Sequence, residues 1–176
     1  NLTLPEISRA LLMYRYRRID EARRAARAAG FKGAMYPWQS GSDGREETQR
    51  MHLNPRSGRW LPDLTSRQRH VNAAIAYNVW QYYQATEDLD FLHSYGAEMI
   101  VEIARFFASI ATFNTERQRY EIRNVVGPDE YHTAYPDRDE PGIDNNAYTN
   151  VMAVWVIRCA FRALALLSEH RHQELL

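Results

Sequence analysis

The chain has 176 residues, enough for one domain with a real core, because chains of this size bury roughly 70% of their unfolded surface. Its 22 basic and 22 acidic side chains cancel, so no overall field favours nucleic acid or an anionic membrane, and small neutral ligands suit it better. The single Cys159 excludes an intrachain disulfide, a zinc cluster and a redox pair, and its apolar helical context reads as a core thiol.

No stretch approaches the roughly 20 apolar residues that span a bilayer, and the first residues carry no signal-peptide pattern. The chain opens at Asn1 and ends soon after a long helical run, which suggests one domain, 1–176, incomplete at both ends. Localisation stays open on these grounds, with the cytoplasm favoured.

In chain order, Ile7, Ala10, Leu11 and Tyr14 recur at helical spacing from Leu4 to Tyr16, and Pro5 suits a first turn. Asp20 is expected to cap a second helix with an alanine stripe, Ala22, Ala25, Ala26 and Ala29, stopped by Gly30. From Phe31 to Leu64 periodicity fails. Loops beyond about 12–15 residues in compact domains are functional or disordered, and Trp38 and Trp60 argue for order, so this one is expected to face a ligand.

Thr65 or Ser66 is expected to cap a third helix running to the Thr86-Glu87-Asp88 break. A fourth follows from Leu89 to about Phe113, with a bend near Gly96. Tyr120 to Val126 reads as a short strand, Gly127 to Asp144 as a second long loop. Asn145 or Asn146 then opens a last helix to about Glu169, apolar almost all round and hence expected to be buried. The fold class is all-α, built of helical hairpins whose long loops gather at one end. No fixed-period repeat is visible.

Cleaving a glycosidic bond requires a carboxylic acid to protonate the departing oxygen. Glu130 is a good candidate for that acid, since it follows a Gly-Pro turn and Asp129 beside it disfavours a second negative charge. Taken alone, an Asp-Glu pair in a loop is more often a solvated turn. Tyr131 and His132 can stack on a sugar or hydrogen-bond to it. The loop from Tyr36 to Thr48 offers Trp38 for stacking and the carboxylates of Glu46 and Glu47 for vicinal hydroxyls; a capped turn around one anchoring Trp explains the same residues. His70 and Asn72 lie where the third helix is expected to leave its loop, and Asn145 and Asn146 where the last one does; capping accounts for one of the latter easily. The glycines are too irregular for a phosphate loop, and no metal-ligand spacing appears.

The runs Tyr36-Pro37-Trp38 through Glu47, Gln68 to Tyr77, Gly127-Pro128-Asp129-Glu130-Tyr131-His132 and Asp144-Asn145-Asn146-Ala147-Tyr148-Thr149-Asn150 together resemble glycoside hydrolase family 65, the family of maltose, trehalose and kojibiose phosphorylases. The likeness spans nearly the whole chain in the expected order. It implies part of an (α/α)6 barrel, Glu130 as general acid, inversion at the anomeric carbon, and inorganic phosphate in place of water as attacker, with no other cofactor. It further implies that the phosphate site and a Trp-Asp-x-Glu sugar segment lie outside this stretch, which by itself is expected to be inactive. A small carbohydrate is the expected partner, with a homodimeric parent as an open expectation. An inverting hydrolase of the same family and a non-catalytic helical glycan- or protein-binding module remain as alternatives.

Overall fold

The structure is a computed structural model and describes residues 3–129, 132–138 and 140–176. Helix α1 (Pro5–Tyr16) starts on Pro5, whose missing N–H costs nothing in a first turn. It turns through Arg17 and Arg18 into α2 (Ile19–Ala28). Asp20 does not cap α2: the buried Ile19 begins the helix one residue earlier, and Asp20 lies in its first turn, 3.1 Å from Arg23. The stop is as expected. Gly30 takes φ 80°, and the bonds Phe31 N–H to Ala26 O (2.8 Å) and Gly30 N–H to Arg27 O (3.0 Å) close a Schellman cap.

The segment after α2 is not structureless. It holds a hairpin of β1 (Met51–Asn54) and β2 (Arg59–Pro62), antiparallel with Asn54 opposite Arg59. A second hairpin, β3 (Ala111–Asn114) with β4 (Arg119–Ile122), pairs Asn114 with Arg119. Both turns are built alike. Asn54 Oδ1 accepts from Arg56 and Ser57 N–H, Asn114 Oδ1 from Arg117 N–H, and Gly58 and Gln118 supply the left-handed residue before the return strand. The expected strand at Tyr120–Val126 is therefore β4 plus an isolated bridge between Val125 and Ile143, and the class is mostly helical rather than all-α.

Helix α3 (Val71–Thr86) is preceded by a 3₁₀ turn, Thr65–Arg67. Thr65 and Ser66 thus belong to that turn, where Thr65 N–H donates to Asp63 Oδ1 at 2.9 Å, and His70 occupies the cap position of α3. Glu87 at φ 56° ends the helix, and Asp88 caps the next, accepting from Phe91 N–H at 2.9 Å. Then α4 (Leu89–Phe91) passes through a π-helical turn (Leu92–Gly96) into α5 (Ala97–Ile110), so the bend expected near Gly96 is a widened turn. The helix stops at Ile110, short of Phe113, because Ala111 to Asn114 are taken into the β3 ladder.

Asn146 caps α6 (Ala147–Leu164), its side chain accepting from Thr149 N–H, and a separate α7 (Glu169–Glu174) follows a Ser168 cap. The expectation of a fully buried last helix fails. Ala153, Val156, Ala160 and Ala163 pack inward, whereas Val151, Val154 and Phe161 are exposed. The core lies among α3, α5 and α6, around Val79, Phe91, Met99, Ile103, Phe106, Phe107 and Val156, all fully buried. Cys159 is buried there, and desolvation pushes its thiol up to about 12.

The long segment after α2 is fixed to the core at its start. Gly33 has φ 71°, and a Cβ there would stand 2.1 Å from Glu102 O and 2.6 Å from Phe106 N, so only glycine lets the chain lie on the backbone of α5. Arg23 of α2 binds Glu98 (2.8 Å) and Glu102 (3.3 Å) of α5, and Arg171 of α7 binds Glu98 at 3.0 Å, tying three helices by shared carboxylates. Among the described residues, no helix is long and apolar enough to cross a membrane.

Candidate active site

Two long segments lead to the helix starts of α3 and α6, and those starts meet. The His70 ring stands edge-on to Trp38 (centroids 5.6 Å, planes at 69°) on one side and to Tyr148 (5.5 Å, 80°) on the other. The three sequence runs containing Trp38, His70 and Tyr148 are thereby joined in one cluster. Seven residues further along each helix, Tyr77 and Trp155 are again 5.6 Å apart, so α3 and α6 run parallel over two turns, about 10.5 Å.

Several expected sugar readers turn out to hold the framework. Asn72 is fully buried; its Oδ1 accepts from Tyr36 N–H at 2.7 Å and its Nδ2 donates to Arg69 O at 3.1 Å. Its amide is spent on placing the start of the tryptophan loop. Glu46 accepts from Trp38 N–H (3.0 Å), Gln39 N–H (3.3 Å) and Thr48 N–H (3.2 Å), as well as from the Thr48 hydroxyl, folding the loop around one carboxylate. Tyr14 of α1 fastens the far side, its hydroxyl 2.8 Å from Ser40 Oγ and donating to Gly41 O at 2.6 Å. Glu47 is exposed, with its side chain beside Gly41.

Asn146 is the α6 cap and is buried, with Oδ1 accepting from Thr149 N–H (3.0 Å) and the Thr149 hydroxyl (3.2 Å). Asn145 adopts φ 55°; its N–H donates to Ile122 O at 2.7 Å, and its Oδ1 receives Asn150 Nδ2 at 3.5 Å. Asp144 Oδ1 accepts from Asn124 N–H at 3.1 Å. Thus the Asp-Asn-Asn run closes the second long loop onto the end of β4.

That loop carries the acidic centre. Val126 N–H donates to Arg67 O (3.1 Å), anchoring it beside the 3₁₀ turn, and Gly127 N–H donates to His132 O (2.9 Å), drawing the loop into a small closed ring. His132 N–H returns to Asp129 O at 3.3 Å. A Cβ on Gly127 would be 2.2 Å from His132 Nδ1, so the imidazole lies directly over the glycine. Glu130 and Tyr131 lie outside the described residues. Their neighbours Asp129 and His132 are both exposed.

An open cleft of about 530 Å³ adjoins this ring. Its walls include His52 and Leu61 of the first hairpin, Thr65 and Gln68 ahead of α3, and Asp129 and Thr133 on either side of the acid position. Helical periodicity does not reveal the hairpin wall, although the Asn54 to Gly58 turn signals it, and Tyr148, part of the Asp-Asn-Asn-Ala-Tyr run but not among the expected site residues, joins the aromatic cluster. His70 is buried, and desolvation lowers its pKa below the ordinary 6.5, so the imidazole is neutral at neutral pH. Its Nδ1 has no hydrogen-bond partner among the described residues. Arg69 is likewise lowered by burial, with Glu46 acting in the opposite sense. Among the described residues no group of three His, Cys, Asp or Glu side chains could hold a metal ion.

Residues 1–175 match the family model described as glycosyl hydrolase family 65 central catalytic domain. The chain belongs to glycosyl hydrolase family 65. It is 59% identical over 174 residues to an uncharacterized glycosyl hydrolase of Mycobacterium tuberculosis (strain ATCC 25618 / H37Rv), covering 98% of this chain and 13% of that protein. It is 48% identical over 151 residues to a trehalose 6-phosphate phosphorylase of Lactococcus lactis subsp. lactis (strain IL1403), covering 86% of this chain and 19% of the relative. A solved structure of a kojibiose phosphorylase candidate from the human microbiome superposes with a TM-score of 0.74 at 27% identity, over 92% of this chain and 21% of that one. The chain therefore spans about a fifth or less of the length of these relatives. Family membership agrees with the resemblance carried by the tryptophan, acid and Asp-Asn-Asn runs.

Proposed function

We propose that the chain is part of an inverting phosphorylase that cleaves an α-linked glucosyl disaccharide with inorganic phosphate. Its helices contribute to an (α/α)6 barrel whose loop end holds the sugar. Glu130 donates its proton to the glycosidic oxygen as the bond from that oxygen to the anomeric carbon breaks. A phosphate oxygen forms the new bond from the opposite face, so the α-linkage becomes a β-glucosyl phosphate and the second sugar leaves with the proton. Phosphate is already anionic, so no base is needed on the attacking side.

The observation that carries this reading is the cleft walled by Asp129 and Thr133, the residues that bracket Glu130 in the sequence. The phosphorylase named among relatives at 48% identity supports phosphate as the attacker. In this reading Trp38, Glu47, Asp129, Tyr131, His132 and Asn145 face sugar, while Glu46, His70, Asn72 and Asn146 hold the loops and rings that present them.

Phosphate dependence tests it. With kojibiose, α,α-trehalose and its 6-phosphate, and maltose as substrates, the full-length protein is expected to release sugar only when inorganic phosphate is present, with equimolar glucosyl phosphate. Equal release without phosphate would favour the hydrolase, and binding with no turnover of any substrate the non-catalytic module.

A further inference from the structure

Tyr148 has no role in the proposed reaction, yet it sits where the tryptophan loop and the starts of α3 and α6 converge. It is the second residue of α6, two past the Asn146 cap, and remains 44% exposed while its ring makes an edge contact with His70. Two turns deeper, the Tyr77 and Trp155 pair repeats the contact between the same two helices. The upper pair differs in its surroundings: it adjoins Trp38 and the loop ends, and one of its members is an imidazole.

We propose that Tyr148 is a sugar-stacking residue, presenting its open ring to the apolar face of a substrate pyranose. The proposal rests on the phosphorylase reading and adds a contact to it. A phenol ring offers C–H groups of a pyranose an electron-rich surface, and its position two residues past a helix cap fixes that surface on a rigid element rather than on a loop. His70 is a positioning residue for it. Buried between Trp38 and Tyr148, the neutral imidazole supplies an edge that sets the tilt of the tyrosine without placing a cation next to the substrate. Alternatively Tyr148, like Val151 and Val154, is one more apolar side chain on an outward flank of α6. The two roles differ in what losing the ring does.

The test compares Tyr148→Phe and Tyr148→Ala in the full-length protein, using α-glucosyl fluoride with phosphate so that no second sugar contributes. The phenylalanine variant is expected to keep KM within about 2-fold, because it keeps the ring, and the alanine variant to raise KM on the order of 10-fold with Tm little changed. Unchanged KM in the alanine variant, or a lowered Tm with unchanged KM, overturns the proposal while wild-type turnover leaves the phosphorylase reading standing. If the wild type turns over neither the fluoride nor any disaccharide, that reading falls separately. Titration of tryptophan fluorescence with D-glucose then decides the matter: weaker binding by the alanine variant supports stacking, and equal binding or no binding by either form overturns it.

Discussion

Replacing Glu130 by Gln in the full-length protein is expected to lower kcat on an α-linked glucosyl disaccharide by about 10²- to 10⁴-fold, the usual contribution of a positioned general acid. The amide keeps size and much of the hydrogen bonding but has no proton to give. Loss should therefore depend on the leaving group. With α-glucosyl fluoride, whose fluoride departs without full protonation, the same variant should retain far more of its activity than it does with a disaccharide. Unchanged disaccharide turnover in the Gln variant, or equal losses on both substrates, would remove Glu130 from that role.

The second large effect is expected one turn of chain away. Gly127→Ala places a methyl 2.2 Å from His132 Nδ1 and 2.7 Å from its Cγ, so the imidazole and the backbone behind it must move. That backbone holds the bond from Gly127 N–H to His132 O, which ties together the two ends of the run that contains Glu130. A displacement of about 1 Å at a catalytic group can cost roughly 100-fold, so kcat should fall by one to two orders of magnitude. Gly127 is buried, but Pro128, Asp129 and His132 beside it are exposed, so the shift can be taken up toward solvent and Tm should change by only about 2 °C or less. A large fall in Tm accompanied by full specific activity of the folded protein would contradict this role for Gly127.

What the sequence reveals follows from how local each cause is. Helix existence is local: apolar spacing in Val71 to Tyr82 and the Gly30 stop depend on neighbours within a few residues, and both helices form with the expected ends, although their starts differ from the expected caps. The two hairpins are legible only in part, because their strands are four residues long and the turn that makes them, an Asn whose Oδ1 caps the next amides, resembles an ordinary loop. The end of α5 at Ile110 depends on the β3 to β4 ladder, which helical periodicity does not register.

The division of labour among the site residues is less local still. Trp38 is identifiable as a tryptophan in a polar loop, and His70 and the Asp-Asn-Asn run as unusual residues at helix starts. Nothing within the sequence, however, distinguishes Asn72, turned inward to Tyr36, from Asn145, which lies on the loop. The same holds for Glu46 and Glu47: adjacent exposed carboxylates of equal chemistry, of which Glu46 is taken up by the amides of Trp38, Gln39 and Thr48. Hydrogen-bond partners assign those roles, and for Asn72 the partner, Tyr36, comes from a distant segment.

The anomeric configuration of the sugar phosphate decides whether the bond is cleaved by inverting phosphorolysis. Phosphorus NMR of the products formed by full-length protein from an α-linked glucosyl disaccharide and inorganic phosphate should show β-glucosyl phosphate as the first species. Formation of the α-anomer first, or of free glucose with no sugar phosphate, would contradict inverting phosphorolysis at this site.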